Sequence, residues 1–89
     1  MSSDKKPERR PVRILRVPVT AQLRGRSRSG HYADIQAGLF PPPIKIGLRA
    51  SGHPENEVAA MNDATIAGKS PNELRELVNA LVAARKAGA

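Results

Sequence analysis

A mainly helical fold with one small β-hairpin is what this sequence predicts, and three observations carry the expectation. Residues 26–38 (RSRSGHYADIQAG) have the makings of a short helix led by arginines. Residues 44–49 (IKIGLR) alternate apolar and basic side chains toward a glycine, as a short turning strand does. Residues 70–86 hold the clearest helical signal in the chain, with a start, an apolar stripe and a basic end. Between the first two lies LFPPP, whose prolines force an extended path. A helix and a basic ribbon joined by a stiff bridge make a winged helix-turn-helix, and the terminal amphipathic helix is an addition to it.

Taken in order, residues 1–11 (MSSDKKPERRP) are charged, broken twice by proline and nearly devoid of apolar side chains, so a disordered basic arm is expected there. Residues 12–68 then form the winged domain, and residues 69–89 the terminal helix. Pro18 suits the first turn of a helix running to about Arg24, since its missing N–H is an orphan there anyway, and Gly25 ends it. Ser27 caps a second helix and Gly38 stops it. On that second helix His31, Tyr32, Ile35 and Leu39 share one face, and Arg26, Ser29, Gly30, Ala33 and Ala37 the other. A glycine inside a helix costs about 1 kcal/mol relative to alanine. Gly30 therefore implies either close approach to a phosphate wall or a crowded helix–helix contact.

In the ribbon, Ile44 and Ile46 point one way and Lys45 the other, with Gly47 near the tip and Arg49 beyond it. Pro54 opens a third helix with Val58, Met61 and Thr65 at core spacing, closed by Gly68. Ser70, Pro71 and Glu73 form a capping box for the last helix. Its stripe is Leu74, Leu77, Val78, Leu81 and Val82; Glu73 and Glu76 come early and Arg85 and Lys86 late, as the helix dipole favours. That stripe either folds back onto the winged domain or joins neighbouring copies.

Charge narrows the function. Nine of the fifteen Lys and Arg residues lie in the first thirty positions against two acids, whereas residues 31–89 carry six of each, so the whole +7 sits at one end. Such polarity points to a polyanion, because cations that displace condensed counterions from phosphates gain affinity. Of the chain's apolar residues 13 are alanine, which leaves a thin core. With no cysteine and two histidines, a structural zinc site is excluded, and neither a metal nor another cofactor is expected. The longest apolar runs are a few residues, too short for a membrane span, so a soluble protein of the bacterial cytoplasm, associated with the nucleoid, is expected.

Ser27, His31 and Asp34 fall on one helical stripe, which raises the question of a catalytic triad. One short helix holding every candidate offers no cleft, so an enzyme is not expected. Ser27 reads better as a cap, and His53 as a packing residue.

The run SRSGHY, the six residues that follow Tyr32 up to Gly38, and LFPPPIKIGLRASG together resemble the AlpA-like prophage regulators and related excisionases over about residues 13–61. That family carries threonine in place of Gly30 and tryptophan in place of His53. The resemblance implies a winged helix-turn-helix of the MerR-like type that binds duplex DNA. It implies contacts by Arg28, Ser29 and Gly30 at the helix start and by Lys45 and Arg49 in the wing. With the neighbouring Arg24, Arg26, Ser27, Tyr32 and Gly47, these make the candidate DNA-contacting set. The implied activity is that of a recombination directionality factor, which binds attachment-site DNA cooperatively and favours excision by an integrase; the alternative is a transcriptional regulator of the element's genes. A third reading, an adaptor using the prolines and the terminal helix, would need no DNA.

Overall fold

A computed structural model describes residues 11–87, in which three short strands and four helices follow one another as β1 (Ile14–Arg16), α1 (Val17–Arg24), α2 (Arg28–Gln36), β2 (Ile44–Lys45), β3 (Ser51–Pro54), α3 (Glu55–Ile66) and α4 (Pro71–Ala87). Pro18 lies in the first turn of α1, and Gly25 follows the helix at φ 68°. The Gly25 N–H donates to the Gln22 carbonyl and the Arg26 N–H to the Ala21 carbonyl, which satisfies the helix end and turns the chain sharply into α2. Gly38 repeats the device at the end of α2, with φ 77°. The arm expected at residues 1–11 lies outside the described residues apart from Pro11.

The hairpin expected of residues 44–49 is present, and Ala50 accepts a bond from the Ile46 N–H at 2.9 Å to close it. It acquires a strand that local alternation does not announce. β1 pairs antiparallel with β3 on the side away from β2, giving the order β1-β3-β2, with Leu15 opposite His53 and Arg16 opposite Gly52. At Gly52 the strands press so close that a Cβ would fall 2.7 Å from the Leu15 carbonyl oxygen. The four helices and the three-stranded antiparallel sheet form a winged helix-turn-helix.

Leu15, Phe40, Val58, Met61 and Val78 are the buried core, so β1, the proline bridge, α3 and α4 all meet there. Ile35, Leu74, Leu77, Leu81 and Val82 pack against it. The α4 stripe thus packs within its own chain, with Val78 buried and the other four side chains half-buried. Burial of apolar area against a thin core drives this choice. Arg85 fixes it by bridging to Glu57 at 2.7 Å and to the Pro42 carbonyl at 2.8 Å. Ser70 and Glu73 form the expected reciprocal capping box. Tyr32 is 46% exposed, and the aromatic packing falls to His31 and His53, which flank Phe40 at ring-centroid distances of 5.1 and 5.0 Å.

Candidate nucleic-acid interface

At the start of α2 the Ser27 hydroxyl accepts a bond from the Gly30 N–H at 3.0 Å, which satisfies one of the orphan donors of the first turn. Arg24 and Arg26, which flank the turn into this helix, both reach Asp34. Arg24 donates to the Asp34 carboxylate at 2.8 Å and to His31 Nδ1 at 2.8 Å, and its guanidinium sits 4.1 Å from the Phe40 ring centroid. Arg26 donates to both carboxylate oxygens, at 3.0 and 3.1 Å, and to the Gly30 carbonyl at 3.2 Å. Burial pushes the Asp34 carboxyl up, but the hydrogen bonds from Arg26 and Arg24 outweigh it and hold the group below its ordinary value.

These bonds make Arg24 and Arg26 struts of the fold. Arg24 is 12% exposed at its side chain and is held inward by these partners, whereas Arg26 at 45% retains an outward edge. They also bear on Gly30: a Cβ there would lie 3.0 Å from the Arg26 guanidinium carbon and 3.1 Å from the Ser27 oxygen. The glycine makes room for the strut.

His31 and His53 are fully buried, with their Nε2 atoms 3.0 Å apart. Burial lowers both imidazoles below their ordinary value; in His53, where His31, Arg85 and Arg24 add to it, the result is about 4. The ring nitrogens of His31 are thus engaged by Arg24 and His53, while Ser27 is occupied as a cap and Asp34 by arginines. The side chains of Ser27, His31 and Asp34 share a stripe without bonding to one another. Among the described residues no group of three or more metal-ligating side chains occurs, and no helix is long and apolar enough to cross a membrane.

Three of the remaining arginines gather at one place. Arg28, at the first position of α2, and Arg49, beyond the wing tip, line one hollow of about 230 Å³ together with Arg16, Tyr32 and Ser51. Start of helix and wing are therefore neighbours. Among the described residues none of the three arginines forms an ion pair; Asp34, Glu55 and Glu57 are taken by Arg24 and Arg26, Arg13 and Arg85 respectively. Ser29, Lys45 and Gly47 are exposed and lie outside that hollow. Arg16 is the residue that sequence reasoning passed over. Its signal was present, a basic residue directly ahead of a proline-led helix, but only pairing of β1 with β3 brings it to the wing.

A sequence model described as Prophage CP4-57 regulatory protein (AlpA) matches residues 13–61, more than half of the chain. The chain is also similar to the "Uncharacterized protein ORF88" of Enterobacteria phage P4, at 40% identity over 57 residues. That stretch is 64% of this chain, and it spans 65% of the phage protein. No solved structure matches. The matched segment runs from β1 through the hairpin to the middle of α3 and so contains Arg16, Arg28 and Arg49. On that match the chain belongs to the AlpA family of prophage regulatory proteins.

Proposed function

We propose that this protein binds duplex DNA in the bacterial cytoplasm and acts as a recombination directionality factor, favouring excision of a mobile element by its integrase. The observation that carries the DNA reading is the hollow between α2 and the wing, where Arg28 and Arg49 meet with no acidic partner among the described residues. In this reading α2 enters the major groove by its exposed side and the wing lies along the adjoining backbone and minor groove. The exposed positions of α2 include Ser29, Ala33 and Gln36, short or uncharged side chains that read bases weakly, so one copy relies on DNA shape and several copies bind cooperatively. The chemistry of strand exchange belongs to the integrase.

The family's description as regulatory favours a second output, control of transcription of the element's genes. A reconstituted excision reaction with the cognate integrase, run beside a promoter reporter, separates them. Stimulated excision with an unchanged reporter supports the directionality factor. A reporter response without an effect on excision assigns the protein to transcription.

A further inference from the structure

We infer that Arg16, Arg28 and Arg49 form one seat for a single DNA backbone phosphate, clamped between the wing and the starts of two helices; this rests on the duplex-binding reading above. The three side chains come from three places in the sequence: the end of β1, the first residue of α2 and the far side of the wing tip. Like charges gathered at one hollow repel unless an anion enters it, and none of the described residues supplies one. Asp34 and Glu55 are already paired elsewhere, and neither α1 nor α2 has an acidic residue in its first turn.

Everything else at the hollow suits the same ligand. Tyr32 and Ser51 bring hydroxyl donors. α1 begins at its wall with Val17 and Pro18, and its N-cap residue Arg16 makes no side-chain cap, so the positive end of that helix stays uncovered. About 230 Å³ is below the roughly 300–1,000 Å³ of pockets that enclose organic ligands. A phosphate held here is gripped by helix and wing at once, which fixes the angle at which α2 meets the groove. The contact is blind to sequence, as phosphate contacts are.

The test uses the full chain, a short duplex of random sequence and fluorescence anisotropy over a series of salt concentrations. Arg16→Ala, Arg28→Ala and Arg49→Ala are each expected to weaken binding about three- to tenfold while Lys86→Ala, on the far helix, leaves it unchanged. The salt slope distinguishes sharing from independence, since it counts neutralised phosphates at about 0.9 each. With one shared phosphate the triple variant loses about one unit of slope. A loss near three units means three separate phosphates, and full affinity in Arg16→Ala removes that residue from the seat; either overturns the inference while leaving duplex binding intact. Absence of duplex binding by the unmodified chain overturns the functional reading and the seat together. Arg16 is exposed, and unchanged thermal melting of its alanine variant confirms that the fold is retained.

Discussion

His31 Nε2 and His53 Nε2 lie 3.0 Å apart in the interior and join the middle of α2 to the central strand β3. Arg24 can only donate to His31 Nδ1, so the His31 proton sits on Nε2 and is donated to His53. His53 then carries its own proton on Nδ1, a buried donor with no partner among the described residues. The helix proposed to enter the groove is thus anchored to the sheet that carries the wing by two imidazoles, both of which must stay neutral.

Acid should therefore loosen this fold earlier than its carboxylates alone require. Above the ordinary histidine value, about 6.5, neither the folded nor the unfolded chain protonates His53. As pH falls toward about 4, the unfolded chain takes up a proton that the folded one refuses, and stability drops by about 3 kcal/mol. His31, also lowered, acts in the same direction. Below that range Asp34, whose folded value is depressed, adds its own loss as it protonates. Urea unfolding at neutral pH and near pH 4.5 measures the difference.

Replacing His53 with phenylalanine keeps a ring beside Phe40 and deletes the unpartnered Nδ1 donor, but leaves His31 Nε2–H with nothing to bond. The gain and the loss are each about 1–3 kcal/mol, so little net change is expected at neutral pH. The slope of stability against pH should flatten between 6.5 and 4, leaving only the His31 contribution. A profile as steep as that of the unmodified chain would assign the acid sensitivity elsewhere.

Struts and contacts separate by which property a substitution changes. Arg24→Ala leaves His31 Nδ1 without its donor, uncovers one side of Phe40 and removes one of two arginines from Asp34; about 3 kcal/mol of stability should be lost. Arg28→Ala should leave stability within about 0.5 kcal/mol and weaken DNA binding. Chemical denaturation and anisotropy on the same pair of variants check both halves. Equal losses of stability would contradict the division.

Lys45 sits on β2 outside the arginine hollow, exposed and with no ion pair among the described residues. If it meets a phosphate of its own, Lys45→Ala lowers the salt slope by about one, and adds that loss in full to the losses of the arginine variants. Anisotropy on random and attachment-site duplexes should show the same proportional weakening, as a backbone contact carries no base preference.

How far these features were legible depends on how local their causes are. Ser27, Ser70 with Glu73, Gly25 and Gly38 act within one helical turn, and their roles follow from the residues themselves. β1 is only three residues long, and its partner lies some forty positions on, so no periodicity reveals it. The arginines of residues 24–28 look alike in sequence; what separates them is Asp34, eight and ten residues away, reached by Arg26 and Arg24 and not by Arg28. The helical wheel put Tyr32 beside His31, yet only His31 faces the sheet, because Arg24 and His53 each hold one of its nitrogens.

The apolar stripe of α4 yields the last expectation. Val78 is 6% exposed within the core, and Leu74, Leu77, Leu81 and Val82 flank it against the same cluster. Removing two methyl groups at a site closed on all sides costs about 2 kcal/mol, so Val78→Ala should lower the urea midpoint of the isolated chain. Were the stripe instead an interface between copies, the same substitution would leave a monomer stable and shift only its assembly. Denaturation at two protein concentrations a hundredfold apart decides the matter. A midpoint independent of concentration, lowered equally by the substitution at both, is the outcome that packing within one chain requires. Removal of residues 70–87 should then unfold the winged domain, since Arg85 no longer ties Glu57 to the proline bridge and the Phe40 cluster loses its cover.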